Sequence, residues 1–280
     1  MARRSFRKTY LSNIPFLIGG IVTLVLVIVA LAAPWIAPHD PNWQETARRL
    51  EGPSPGHPLG RDELGRDVLS RIVYGARISL RVGFSVVLIA SSIGIFLGAV
   101  AGYFGGRIDT LIMRLSDILL AFPGILMAIA LVAVLGPSIN NVILALSVIG
   151  WVSYARLVRG QILKVRQMEF ITAVEALGAR APRVIFKHLL PNVLSPVIVM
   201  ATLGLAGSIL AEASLSFLGL GVQPPTPSWG AMLTAGRQYL GLANHLAIYP
   251  GIAIMLAVMG LNFLGDGLID ALDPKYRKEM

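Results

Sequence analysis

The chain has 280 residues, of which 55% are hydrophobic and 14% charged, where a soluble domain carries about 25% charged residues. That balance sets it among integral membrane proteins, and the absence of cysteine excludes a disulfide framework and a thiolate metal site. The net charge of +9 reads, in so apolar a chain, as basic loops facing a cytoplasmic leaflet, so the lipid bilayer is the expected partner and nucleic acid is not.

A spanning helix needs about 20 mostly apolar residues, and six candidates follow in chain order. Residues 1–13, with four basic side chains, are expected to be a cytoplasmic N-terminus. The apolar run 14–36 is longer than the 7–15 residues of a signal-peptide core, so it reads as an uncleaved first span. Residues 37–81 form an outer loop. Within it Leu64, Val68, Leu69, Ile72 and Val73 recur at helical spacing, which predicts an amphipathic elbow helix lying in the interface and leading into span two. The second span is expected over Val82–Tyr103. No charged residue occurs from Ile118 to Ala155, too long for one span, and Gly136-Pro137-Ser138-Ile139-Asn140-Asn141 breaks it into spans over Ile118–Leu135 and Val142–Val158. Phe122-Pro123-Gly124 is expected to kink the third span, making Pro123 and Gly124 hinge candidates. The fifth and sixth spans fall at Val193–Ala211 and Leu246–Leu264. The core domain is thus 82–265, with a cytoplasmic tail over 266–280 in which Asp266, Asp270 and Asp273 cap or solvate.

With six spans both termini share a side. Sixteen of the 24 Lys and Arg fall on that side, counting Arg156 with the loop after span four, and eight on the other, which favours a cytoplasmic N-terminus and C-terminus. Several kinds of chemistry are missing. None of the five lysines follows a glycine, so there is no phosphate-cradling loop. His39, His57, His188 and His245 are dispersed, which argues against a metal site. No nucleophile elbow and no paired intramembrane acids occur, so no catalytic residue is assigned.

Between spans four and five, 159–192, lies the segment that hydropathy does not explain. Ile171, Val174, Gly178, Ala181 and Ile185 recur at three- and four-residue steps and give one apolar face. Ala173, Ala176 and Gly178 are small enough to let another surface approach closely. Gly178 permits a turn, Pro182 suits the start of a second helix, and Leu190-Pro191 is expected to close the segment. The residues alone fit either a loop helix resting on the membrane or a docking helix for a soluble partner. Polar residues in spans are costly and often functional, so Asp117, Asn140, Asn141 and Glu212 are candidates for the translocation path. Each also has a plain alternative: Asp117 paired with Arg114, the asparagines as turn residues, Glu212 reaching the interface. The Pro-rich stretch Gln223–Pro227 fits an outer gate, a docking rim or a surface loop.

The segment resembles the EAA loop of ATP-binding-cassette importer permeases. Gly178 and Pro191 keep that motif's thirteen-residue spacing, and Thr172, Ala173 and Val174 stand at the Glu-Ala-Ala positions. His57–Gly83 (HPLGRDELGRDVLSRIVYGARISLRVG) and Ala211–Leu233 resemble the dipeptide/oligopeptide/nickel permease family, specifically its C-type subunits, and the likeness runs over nearly the whole chain. The resemblance implies an all-α, six-helix type I importer permease fold with a cytoplasmic coupling helix. It implies a non-enzymatic subunit in a bacterial or archaeal plasma membrane, forming half of a pathway for di- or oligopeptides. A homologous second permease would complete the pathway as a heterodimer. Two ATPase subunits would hold ATP and magnesium, none of it bound by this chain, and an external binding protein would deliver the cargo. Glu169, Thr172, Ala173, Glu175, Ala176, Gly178 and Arg180 would then dock on an ATPase. The alternatives are the same machinery importing nickel or another small solute, or a secondary transporter or channel independent of ATP.

Overall fold

The computed structural model describes residues 14–272. Long helices dominate: α1 (Ile14–Leu31), α2 (Val68–Phe104), α3 (Gly106–Leu120), α4 (Gly124–Leu135), α5 (Ile139–Arg166), the short α6 (Glu169–Ala176), α7 (Ala181–Phe217), α8 (Trp229–Arg237) and α9 (His245–Leu272). Among the described residues five helices are long and apolar enough to cross a membrane, and six spans result if α3 and α4 count as one broken span.

Helix α2 starts where Asp67 caps it, its carboxylate accepting from Ser70 N at 2.7 Å, a bond that satisfies one of the four free amides of a helix N-terminus. It ends at Gly105, whose φ of +64° no longer fits a helix. Its 37 residues reach about 55 Å at 1.5 Å per residue, well beyond a hydrocarbon core of roughly 30 Å. The amphipathic stretch leads into span two without a boundary: nothing between Val68 and Phe104 breaks the helix, and from Val68 onward that stretch is its first turns. Leu64 lies outside, because Gly65 turns the chain with φ +75° while Asp62 Oδ1 accepts from Leu64 N and Arg66 N, each at 2.9 Å.

The third expected span is also different. Its residues belong to two helices bent by 84° at Phe122-Pro123, and Ile118–Leu120 close α3. Proline has no amide to continue the ladder of α3, and Pro123 instead opens α4 with an extended ψ of 124°. In the fourth, only Gly136–Ser138 interrupts; Ser138 Oγ accepts from Asn141 N at 3.2 Å, so both asparagines fall in the first turn of α5. Pro191 does not close the segment before span five. A π-helical turn over Val184–Leu189 precedes it, and α7 runs through to Phe217. Helix α9 extends to Leu272, so Asp266 and Asp270 are helical; Asp273 and residues 1–13 lie outside the described residues.

The bundle is held by close helix approach. Gly94, Gly98 and Gly102 form a stripe on α2 that faces α5. A Cβ at Gly94 would stand 2.7 Å from Trp151 O, at Gly98 2.5 Å from Ala155 O, and at Gly102 2.9 Å from Ile162 Cγ2. Without a hydrophobic drive between helices in lipid, such small-residue contacts supply the dispersion energy of association. A second contact joins the start of α8 to α2: the buried Trp229 donates from Nε1 to Ile72 O at 2.9 Å, and Gly75 leaves room for its ring.

Gly98→Leu should lower the thermal unfolding midpoint of the purified protein, since overpacking costs about 1–3 kcal/mol or more against backbone. Gly160→Leu, on α5 with nothing within 4 Å, should leave it unchanged. In the same assay Trp229→Ala should cost about 3–5 kcal/mol, and Trp229→Phe, which loses mainly the bond to Ile72, about 1 kcal/mol.

Candidate functional site

The segment after α5 folds as its pattern suggests. Helix α6 runs over Glu169–Ala176 with an acid in its first turn, favourable at the positive end of a helix. It stops at Gly178, where φ is +83°. Gly178 N donates to Glu175 O at 2.9 Å and Ala179 N to Val174 O at 3.2 Å, which satisfies carbonyls the helix end would leave free. Ile171 is the anchor: it is fully buried against Ile162, Val165, Val184, Ile185 and Leu189. Val174 and Ala181 are half-buried, whereas Gly178, expected on the apolar face, is exposed.

Of the residues singled out from sequence, Glu169, Thr172, Ala173, Ala176, Gly178 and Arg180 lie exposed or half-exposed on one short stretch, and Glu175 is half-buried. Phe170 and Leu177, which sequence reasoning passed over, stand out beside them; Leu177 is 87% exposed. Its position directly before the turn glycine was the available signal, since a residue there cannot fold back under α6.

The stretch is braced from behind. The Glu175 carboxyl faces the Tyr103 hydroxyl at the end of α2. Arg166, at the end of α5, donates from Nη1 to Tyr103 O at 2.5 Å and lies over its ring, 5.1 Å from the centroid. Nearby, α3 is tied to α5 by two ion pairs. Arg159 grips both oxygens of Asp109 at 2.5 and 2.6 Å, and Arg156 pairs with Asp117. Asp117 thus bonds across helices, and not to Arg114 within its own.

The other path candidates do not converge. Asn141 Nδ2 donates to Leu135 O and Gly136 O, both at 2.9 Å, finishing the end of α4, and Asn140 is exposed. Glu212 does not reach an interface: it is 0% exposed. Ser216 Oγ donates to its Oε1 at 2.7 Å, and the hydroxyls of Ser79 and Ser228 face the same carboxyl. It therefore sits where α7, α2 and the residue before α8 meet. A cavity of about 510 Å³ opens instead between α2, α4, α5 and α7, walled by Val86, Ile125, Ile149, Tyr154, Met200 and Gly204. Its polar groups are the hydroxyls of Ser153, Tyr154 and Ser208, and it has no charged side chain. Of the sequence candidates only Gly124 borders it. The histidines are dispersed in sequence, but the fold brings two of them together: His39 and His57 stack with centroids 4.4 Å apart beside Asp67.

Comparison with known proteins places this arrangement. The solved structure of the MetNI methionine ABC transporter in inward-facing conformations contains a chain with the same fold, at a TM-score of 0.59 and 20% identity, covering 73% of this chain and 97% of that one. The dipeptide transport system permease protein DppC of Alkalihalophilus pseudofirmus is 48% identical over 261 residues, 93% of this chain and 86% of the relative. The glutathione transport system permease protein GsiD of Pectobacterium atrosepticum is 45% identical over 98% of this chain and 91% of its own. The di/tripeptide transport system permease protein DppC of Pseudomonas aeruginosa is 44% identical over 98% and 92%. Residues 2–53 match the N-terminal TM domain of oligopeptide transport permease C. Residues 94–278, which contain most of the cavity wall, the α3–α5 ion pairs and the braced α6 segment, match the model of binding-protein-dependent transport system inner membrane components, and the chain belongs to that family.

Proposed function

We propose that the chain forms half of the translocation pathway of a di- or oligopeptide importer and is driven through its α6 segment. The observation that carries the reading is the exposed surface of Phe170, Thr172, Ala173, Ala176, Leu177 and Gly178, rigidly seated on Ile171 and braced by Tyr103 and Arg166. Small side chains let a partner's groove close on the backbone, and Leu177 supplies an apolar peg. An ATPase subunit, carrying ATP and magnesium, is the partner that fits. A displacement of α6 passes through Tyr103 to α2, whose single unbroken run reaches the far end of the molecule, and through the turn at Gly178 to α7. ATP can shift the equilibrium between inward- and outward-facing arrangements only by binding one of them more tightly.

The peptide reading rests on the names of the relatives, two of them di- or tripeptide permeases, and on the cavity. Uncharged walls with three hydroxyls can bond amide groups without selecting a side-chain charge, which suits cargo of variable sequence. A homologous permease facing this cavity would complete the path, and an external binding protein would load it. Both termini are assigned to the cytoplasm from the excess of Lys and Arg on their side.

The test is uptake by proteoliposomes holding the full assembly with its binding protein. Labelled di- and tripeptides should enter only with ATP. Leu177→Asp, which adds a charge at an exposed site, should lower that uptake at least tenfold while the amount of assembled chain in the membrane is unchanged. Uptake of nickel but not peptide would reassign the cargo. Uptake indifferent to both ATP and the substitution would make α6 an ordinary loop helix and point to a secondary transporter.

A further inference from the structure

At the end of α2 remote from α6, three metal-ligating side chains meet that play no part in the coupling segment or the cavity. His57 Nδ1 lies 2.8 Å from Asp67 Oδ1, and His39 Nδ1 lies 3.9 Å from the same oxygen. The three ligand atoms all fall within 4.8 Å of one another. Asp67 and His57 are buried, while the His39 side chain is 39% exposed and forms the rim.

Hydrogen bonding accounts for only part of this geometry. A separation of 3.9 Å is too long for a bond between His39 and Asp67. The His39 ring is brought there by its main chain instead, His39 N donating to Ser70 Oγ at 3.1 Å, and by stacking on His57. Asp67 is oriented too: Oδ2 is occupied by Ser70 N, which leaves Oδ1 turned toward both imidazoles. Two imidazole nitrogens and one carboxylate oxygen, each positioned by a second interaction, are the donor set of a zinc-class cation. Ligand bonds of about 2.0–2.2 Å in a tetrahedral site set neighbouring ligand atoms roughly 3.3–3.5 Å apart. The observed 2.8 and 3.9 Å bracket that value, so small side-chain shifts suffice. A polar cavity of about 510 Å³, bordered by His39, Asp40, Asn42 and Tyr74, opens beside His39 and gives water room to complete the shell.

We propose that His39, His57 and Asp67 bind a divalent transition cation of the zinc class. The ion joins the segment after α1, the segment before α2, and the residue that caps α2. It would fasten the connection between the first helix and the long one, at a surface open to solvent. The surrounding cations have other partners: Arg71 Nη1 donates to Pro41 O at 2.9 Å and its Nε lies 3.4 Å from Asp62, while Arg66 pairs with Asp62 and Glu63.

The test uses the assembled transporter in nanodiscs, stripped with a chelator and titrated with zinc chloride alone, bound metal being counted by mass spectrometry. Partner chains can hold zinc of their own, so the reading is the difference between wild type and variants. Wild type should bind one equivalent more than His39→Gln and His57→Gln, and zinc should raise its unfolding midpoint but not theirs. Cobalt in place of zinc should give wild type an intense tetrahedral absorption band that His39→Gln lacks. His39 lies at the rim and its side chain makes no bond to the Asp67 cap, so His39→Gln should keep the midpoint of the metal-free wild type. Equal metal content in wild type and both variants, or no cobalt band in wild type, would overturn the proposal and leave His57–Asp67 as a hydrogen-bonded brace. Neither result bears on peptide uptake, so the two readings fail separately.

Discussion

Everything in this molecule depends on the approach of α2 to α5 along Gly94, Gly98 and Gly102. In lipid an apolar side chain gains little by leaving the solvent, so helices associate by packing and by the few polar bonds they can share. Three glycines at four-residue spacing remove the side chains that would hold the two backbones apart. The rest is placed relative to that pair. Helix α5 carries Arg156, Arg159 and Arg166 to one end of α2, where they hold α3 and Tyr103. Helix α2 carries the Asp67 cap and the Ser79 hydroxyl at the other end, where the connecting segments gather.

This arrangement explains how a chain with no enzymatic chemistry of its own can serve an ATP-driven machine. The chain is a permease component, not an enzyme, in a system whose other parts include ATPase and substrate-binding proteins. What it contributes is stiffness between a surface and a cavity. The surface of α6 is seated on one fully buried residue, Ile171, and braced by polar contacts to α2 and α5. The cavity is walled by the same α2 and α5 together with α4 and α7. In the coupling proposed above, motion at one would reach the other through helices and not through loops.

Much of the span pattern was legible. Charge-free runs and the Gly136-Pro137-Ser138 break marked where helices lie, and Gly178 marked the turn after α6. The misjudged boundaries share one cause: hydropathy reports which residues can sit in lipid, not where a helix stops. Asp67 directly before Val68 was a capping signal for a helix far longer than the apolar run. Pro123 signalled a kink, but a bend of 84° depends on what α3 and α4 pack against. Pro191 looked like an end, but a π-helical turn leads directly into it and the helix continues to Phe217. The polar residues were harder still, because their partners are remote. Asp117 meets an arginine 39 positions away. Glu212, an acid in an apolar run, gave no hint that Ser79 would face it from α2. His39 and His57 reach Asp67 only through the fold of the connecting segment. Thr172 and Val174 depart from the Glu-Ala-Ala pattern, yet they lie where a partner would meet the first and the body of the protein supports the second.

The most direct test of the coupling account exploits the absence of cysteine in this chain. A single Leu177→Cys substitution provides one thiol on the exposed face of α6. In the assembled transporter a short thiol-reactive crosslinker at that position should join the chain to an ATPase subunit, and the yield should change when ATP is added. A thiol there that reacts freely with maleimide, with equal speed whether or not the ATPase subunits are present, and that forms no such link in any nucleotide state, would contradict the account.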